Sequence, residues 1–213
     1  MRIINYYAIF EPMTLIRTFI AIKLPESIQA EMEKISQELQ NRMRIKVIRW
    51  VSVKNIHLTI KFLGDISASN IQLVTSMLSS EVPKFPNFEL TVGGIGGFPT
   101  IHHPRIIWIG IQAPPELLTL QKGIEAETIR LGYQSEDRDF SPHLTLGRVA
   151  QNGSTEEVHQ IGGILSNYKV DPLGTFQAKE VWLFRSDLLP GGAVYTPLFN
   201  KQLGIGDHVI ESI

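Results

Sequence analysis

Residues 57–60 read His-Leu-Thr-Ile and residues 143–146 read His-Leu-Thr-Leu, so one four-residue pattern occurs twice in this chain of 213 residues. Both copies lie in apolar runs that favour β-strands. Because alternate residues of a strand face the same side, each copy would present one imidazole and one hydroxyl together and turn its aliphatic side chains into a core. The alternative is two ordinary strands whose polar residues face solvent. Only the fold can bring His57 and His143 together, since 86 positions separate them.

A longer correspondence surrounds the two patterns. In each case an apolar strand leads to Pro-Glu, then to a helical pattern, a loop and the His-x-Thr strand; the Pro-Glu pairs are residues 25–26 and 115–116. Proline is tolerated in the first turn of a helix, and glutamate suits the positive end of the helix dipole. The correspondence predicts two similar lobes related by a pseudo-twofold axis, with the histidines facing each other across one cleft.

Two other segments carry predictions about local structure. Residues 93–97 read Gly-Gly-Ile-Gly-Gly. They lack the Lys-Ser/Thr of a P-loop and no clear helix follows, so a tight bend or bulge between strands is favoured over a phosphate loop. Residues 175–185 are predicted to form one long strand, and residues 193–198 a last one.

Composition narrows the class of protein. The absence of cysteine excludes disulfides, thiolate nucleophiles and cysteine-metal sites. A net charge of −1 argues against a protein that grips long stretches of nucleic acid, but it allows a pocket for an RNA end. No apolar run reaches the roughly 18 residues of a membrane span, and residues 1–12 lack the features of a signal peptide. We therefore expect a cytoplasmic protein without membrane contact, with residues 1–15 as a candidate N-terminal extension.

Two opposed His-x-Thr pairs hold the parts for a reaction at phosphorus. At neutral pH one imidazole can act as general base and the other as general acid. The two hydroxyls can donate hydrogen bonds to non-bridging phosphate oxygens. A cyclic phosphodiester suits this arrangement, because its leaving oxygen stays tethered. A metal site is the alternative, but it needs clustered ligands, and neither copy has an acidic residue nearby.

The chain resembles the 2H phosphoesterase superfamily, and within it the RNA 2′,3′-cyclic phosphodiesterases of the ligase-T type. The resemblance covers nearly all of the sequence from Arg17 onward. It is carried by six blocks, which are residues 17–25, 49–51, 57–64, 96–99, 140–148 and 190–195.

This resemblance implies a bilobal α+β fold, the 2H phosphoesterase fold, in which two antiparallel sheets with pseudo-twofold symmetry flank a central cleft and the helices lie outside. We expect residues 1–213 to form one such domain of two similar lobes. The implied activity is hydrolysis of RNA 2′,3′-cyclic phosphate ends, tRNA fragments among them, to 2′-phosphate ends by a monomer that uses no metal and no cofactor. A 2′-5′ RNA ligase-like activity and a non-catalytic RNA-end-binding module are the alternatives.

The resemblance also implies roles for residues of the two patterns. His57 would be the general acid toward the ribose O3′ and His143 the general base toward water, although the pseudo-symmetry allows these roles to be exchanged. Thr59 and Thr145 would hold the phosphate. Arg148 matches the family's phosphate-binding arginine, but strand alternation places it opposite to His143. The strand must therefore end or bulge for Arg148 to reach the cleft.

Four further residues are candidate contacts for RNA. Arg49 and Trp50 either line the cleft, for a base or a backbone phosphate, or pack at a strand end. Phe140 either stacks on a nucleobase or packs beneath the second His-x-Thr strand. Lys61 shares the face of His57 by alternation, so it either adds positive charge to the cleft or caps the end of the strand.

Overall fold

A computed structural model of the chain describes residues 15–190 and 192–205. Most of the candidate N-terminal extension, residues 1–14, lies outside this part. The described residues form nine strands and four α-helices: β1 (Ile16–Lys23), α1 (Glu26–Met43), β2 (Ile48–Trp50), β3 (His57–Ile66), α2 (Ala68–Glu81), β4 (Phe88–Pro99), β5 (Pro104–Gln112), α3 (Pro115–Arg130), β6 (His143–Val149), α4 (Thr155–Ser166), β7 (Gly174–Ala178), β8 (Glu180–Leu189) and β9 (Gly192–Gln202). Short 3₁₀ helices cover residues 53–55 and 82–84.

The strands form two antiparallel sheets, as predicted. One has four strands in the order β3-β1-β8-β9, and the other has five in the order β2-β6-β5-β4-β7. The helices bury apolar faces against both sheets in one large cluster. A second, smaller cluster around Phe19 and Phe184 lies on the opposite face of the four-stranded sheet. No helix of the described residues combines the length and the apolarity that crossing a membrane requires.

The two sheets are built by a reciprocal exchange of strands. The first repeat runs β1-α1-β3-α2-β4, and the second runs β5-α3-β6-α4 and ends in β8. However, β4 pairs with β5 of the second repeat, and β8 pairs with β1 of the first. Each sheet therefore contains strands from both repeats, and each holds one His-x-Thr strand.

The helix starts follow the sequence signals. Helix α1 begins directly after Pro25, and α3 begins at Pro115. Both have a glutamate in the first turn, where the helix dipole favours negative charge. The two Pro-Glu pairs of the sequence therefore mark the starts of two equivalent helices, α1 and α3.

Two segments differ from the prediction. The glycines of residues 93–97 lie inside one continuous strand, β4, and not between two strands; the bulge is present at Gly94, whose φ is +72°. Residues 175–185 form two strands instead of one. The chain breaks at Lys179 and passes from the edge of the five-stranded sheet into the four-stranded sheet.

Candidate active site

The two His-x-Thr patterns start equivalent strands. His57 is the first residue of β3 and His143 the first of β6, and these two strands are in contact. The leucines that follow the histidines are fully buried, whereas both histidines and both threonines are only partly buried. The fold thus brings the two patterns together, with each imidazole and each hydroxyl on the less buried side of its strand and the charge of His143 within reach of His57.

Each imidazole is held in the same way by a backbone carbonyl. His57 Nδ1 lies 2.7 Å from the carbonyl oxygen of Asn55, and His143 Nδ1 lies 2.8 Å from that of Ser141. A carbonyl can only accept, so Nδ1 carries the proton in both rings. The Nε2 atom of each ring is left for the cleft, where it can take up or give a proton.

Aromatic side chains fix the two rings, and the sequence reasoning missed them. Phe19 stacks on His57 with 4.5 Å between ring centroids, and Tyr195 meets His57 edge-on at 5.1 Å. Phe98 meets His143 edge-on at 5.0 Å. All three come from other strands, and the signal that could have found them is their place in the blocks 17–25, 96–99 and 190–195 that carry the family resemblance.

Burial determines the protonation of the histidines. It lowers the pKa of His57 to about 4, against the opposing effect of the hydrogen bond to Asn55, and the charges of Arg148 and His143 lower it further. Burial also lowers the pKa of His143; its hydrogen bond to Ser141 opposes this and Arg148 adds to it. Both imidazoles are therefore neutral at pH 7 when no ligand is bound, and Arg148 lies within electrostatic reach of both.

A β-bulge brings Arg148 into the cleft. In β6 the register with β5 shifts after Thr145, so that Leu146 is an extra residue. The extra residue reverses the alternation of the strand. Arg148 consequently lies on the face of His143 and is exposed. The bulge that the sequence required for this arginine is present.

An equivalent bulge overturns the expectation for Lys61. In β3 the extra residue is Ile60, and the reversed alternation turns Lys61 away from the cleft, where it is 2% exposed. Its Nζ lies 2.8 Å from a carboxylate oxygen of Glu125 and donates to the carbonyl of Gln134 at 2.7 Å. Lys61 therefore ties β3 to α3 and adds no charge to the cleft. Phe62 takes the cleft position instead and is 51% exposed.

Of the remaining candidates, only Arg49 lies on the cleft face. It is exposed and stands opposite Arg148 across the β2–β6 pair. Trp50 faces the other way, against the core and close to Gly147, a position that favours strand-end packing. Phe140 also packs against the core. Its position likewise favours packing over a contact with a base.

The glycine-rich part of β4 makes room for an indole. Trp108 of β5 pairs with Gly96, and a Cβ atom added at Gly96 would lie 2.2 Å from the indole ring. Phe98 lies beside the same ring at 5.3 Å. The glycines therefore seat Trp108 next to Thr145, its partner in β6, and they form no phosphate loop.

A cavity of about 300 Å³ opens beside His57. Its lining combines aromatic rings, among them Phe19, Phe184 and Tyr195, with the cationic side chains of Lys23 and Lys54. Aromatic rings stack on bases and ammonium groups attract phosphates, so this lining suits a nucleotide. Among the described residues, no three His, Cys, Asp or Glu side chains are grouped so that they could hold a metal ion.

Known proteins resemble this chain over most of its length. The chain is 30% identical to a protein of Methanothermobacter thermautotrophicus named RNA 2′,3′-cyclic phosphodiesterase, over 86% of this chain and 96% of the relative. It is also 30% identical to the Escherichia coli protein of the same name, over 85% of this chain and 93% of the relative. The crystal structure of E. coli LigT complexed with 3′-AMP superposes with a TM-score of 0.68 at 26% identity, over 89% of this chain and 98% of that one.

The family model described as "LigT like Phosphoesterase" matches the chain twice, at residues 22–108 and 109–195. Each match contains one His-x-Thr strand, so the two matches coincide with the internal repeat seen in the sequence and in the fold. The chain therefore belongs to the LigT-like phosphoesterase family.

Proposed function

We propose that this protein hydrolyses RNA 2′,3′-cyclic phosphate ends to 2′-phosphate ends, with His57 and His143 as the acid–base pair. The observation that carries the proposal is the duplicated histidine geometry. Each ring has Nδ1 fixed by a carbonyl and Nε2 turned to one cleft, and Arg148 lies within reach of both. The names of the relatives and the 3′-AMP and phosphate complexes of E. coli LigT support it.

The reaction is an in-line displacement at phosphorus. The general base takes a proton from water as the water oxygen bonds to phosphorus, and the bond from phosphorus to O3′ breaks. The general acid gives its proton to O3′, which leaves a 2′-phosphate and a free 3′-hydroxyl. Thr59 and Thr145 donate hydrogen bonds to the non-bridging oxygens, and the guanidinium of Arg148 stabilises the negative charge.

We assign the acid to His57 and the base to His143, as the resemblance implies. The assignment rests on the resemblance, because in the unliganded protein a single proton prefers His143, whose pKa burial lowers less than that of His57. For His57 to act as the acid, the anionic phosphate must raise its pKa on binding.

The decisive experiment uses purified protein, EDTA and an RNA oligonucleotide that ends in a 2′,3′-cyclic phosphate. We expect conversion to the 2′-phosphate, with a loss of about 10²–10⁴-fold in kcat/KM for His57→Ala and for His143→Ala. His159→Ala is the matched control, because His159 is exposed on α4 and contacts His103 at 2.6 Å, outside the site.

Other products would separate the alternatives. Conversion that stops with EDTA would replace the metal-free mechanism with a metal-dependent one. Joining of the cyclic phosphate to an added 5′-hydroxyl RNA would show the ligase-like reaction. Binding of the RNA without any turnover would leave an end-binding module.

We further propose that the protein acts as a cytoplasmic monomer. One chain supplies both histidines, both threonines and Arg148, so a complete site requires no second copy. Light scattering on a size-exclusion column should give the mass of one chain, and fractionation of source cells should place the protein in the cytoplasm.

A further inference from the structure

We propose that Arg49 binds the phosphodiester immediately upstream of the terminal cyclic phosphate, so that the site recognises an RNA chain and not only its last nucleotide. This inference rests on the proposed function, because it takes Arg148 to hold the cyclic phosphate at the histidines. It adds a specificity-determining residue to the site.

The first observation is a pair of uncompensated cations. Arg49 of β2 and Arg148 of β6 are directly opposite in register and share one face of the sheet. Cβ atoms at such positions are about 5 Å apart, and like charges there repel each other. Both residues are exposed, and neither takes part in an ion pair within residues 15–190 and 192–205. A bound anion would relieve this repulsion.

The second observation is the different position of the two arginines relative to the histidines. Arg148 acts electrostatically on both imidazoles. Arg49 lies one strand further out, on the edge strand of the five-stranded sheet. A ligand with a single phosphate would use Arg148. Arg49 is placed for a second phosphate, one strand beyond Arg148.

The third observation is the charge of the surrounding segment. Residues 43–60 contain four lysine and arginine residues and no aspartate or glutamate, in a chain whose net charge is −1, and none of the four takes part in an ion pair with another described residue. Two of them, Arg44 and Lys46, are exposed in the turn that leads into β2. Positive potential therefore extends from the site along β2 and past its end. An extended polyanion fits this surface better than a mononucleotide does.

Three substrates test the inference. The first is a 2′,3′-cyclic mononucleotide, which has no upstream phosphate. The second is a dinucleotide with the same cyclic end and one upstream phosphodiester. The third is that dinucleotide with an uncharged methylphosphonate in place of the phosphodiester. Wild type, Arg49→Gln and Arg49→Lys are compared with Arg130→Gln, which makes the same chemical change at an exposed position at the end of α3.

We expect Arg49→Gln to lower kcat/KM for the dinucleotide about tenfold, mainly through KM, and to leave the mononucleotide within about twofold. Arg49→Lys keeps the charge without the fork and should lose less. Replacing the phosphodiester by methylphosphonate should lower kcat/KM of wild type by the same factor as Arg49→Gln does. It should not lower kcat/KM of Arg49→Gln further, because the two changes remove the same interaction. Arg130→Gln should behave as wild type with all three.

Salt dependence gives a second readout. Losing one phosphate contact should make the slope of log kcat/KM against log salt shallower by about 0.7 for the dinucleotide. Two results would overturn the inference. One is an equal loss of kcat/KM on the mononucleotide and the dinucleotide in an Arg49→Gln protein that melts as wild type does. The other is an unchanged kcat/KM of Arg49→Gln on the dinucleotide. Inactivity of wild type on all three substrates would instead overturn the proposed function.

Discussion

The two halves of the active site share their proton carriers and differ in charge. In β3 and in β6 the imidazole is fixed by the carbonyl two residues before it, and an extra residue follows the threonine. The next residue on the cleft face is Arg148 in β6 and Phe62 in β3. The repeat therefore supplies two equivalent acid–base groups, and at one changed position β6 presents a guanidinium where β3 presents an aromatic ring.

The packing behind the two halves is also equivalent, although the residues are not. In the β6 half, Trp108 of β5 lies over Gly96 of β4. In the β3 half the small residue is Ala21 of β1, the strand equivalent to β5. Its partner is Trp182 of β8. In each half an indole is paired with a small residue across neighbouring strands, but the strand that supplies the indole differs.

Among the substitutions that distinguish the two halves, those at Arg148 and its equivalent Phe62 should differ most in their effect on kcat/KM. Arg148→Gln should lower kcat/KM for a cyclic mononucleotide about 100-fold, because charge-assisted hydrogen bonds to the phosphate are lost. Phe62→Leu, the matched change in the other half, should cost only a few-fold. Steady-state kinetics on both variants check this. Equal losses would mean that the phosphate lies midway between the walls and that the charge asymmetry is unimportant.

The free energy of unfolding should depend on the packing of Trp108 over Gly96 in the β6 half. Gly96→Ala forces a methyl group into the ring of Trp108 and should destabilise the protein by about 1–3 kcal/mol. Gly163→Ala is the control, since a Cβ atom there meets nothing within 4 Å on helix α4, and it should stabilise by about 0.5–1 kcal/mol. Urea unfolding measures both. A Gly96→Ala protein as stable as wild type would contradict the packing described.

The pH profile should show that both halves favour neutral imidazole. As pH falls through the lower of the two pKa values, both rings become protonated and the base is lost. As pH rises through the higher of the two pKa values, both rings become neutral and the general acid is lost. Because burial puts the pKa of His57 at about 4 and that of His143 below 6.5, kcat/KM should fall steadily from pH 6.5 to 8. A maximum above pH 7 in the absence of bound anions would refute this.

The smallest effect should come from the aromatic neighbours of the histidines. Phe19→Leu removes part of the ring that stacks on His57 and lets in water, so the pKa of His57 should rise toward 6.5, by less than about one unit. Phe98→Leu is the matched change beside His143 and should move only that residue's titration. NMR titration of the two imidazoles measures both shifts. Identical shifts in both variants would show that the halves titrate as one coupled unit.

Much of the site could be predicted because its signals are local. The two His-x-Thr strands start where the pattern starts, and helices α1 and α3 begin at Pro-Glu, as the fixed φ of proline and the helix dipole favour. The face of each histidine follows from alternation alone. These features depend on residues within a few positions of one another.

The placement of Lys61 could not be predicted by alternation, because alternation holds only in a regular strand. The bulge at Ile60 leaves no local mark in the sequence. Distant residues did carry a signal. Arg148 can reach the cleft only if its strand ends or bulges after Thr145, and the internal repeat predicts the same irregularity at the equivalent position of β3. The break at Lys179 is different, since only pairing with distant strands decides that β7 and β8 enter different sheets.

The reciprocal strand exchange has a consequence for the order in which the molecule can be completed during synthesis. The last strand of the five-stranded sheet ends at residue 178, so that sheet can close before the final hairpin emerges. By contrast, β1 pairs with β8 across 167 residues, from Thr18 to Arg185. At 5–20 residues per second, β1 waits roughly 8–30 s for this partner.

During that interval one edge of β1 has no strand beside it, and long-range pairings of this kind fold slowly. The wall that carries Phe19 and His57 is finished only when β8 and β9 arrive, because Phe184 and Tyr195 belong to them. The newly made protein thus completes the wall that carries His143 and Arg148 first and the wall that surrounds His57 last.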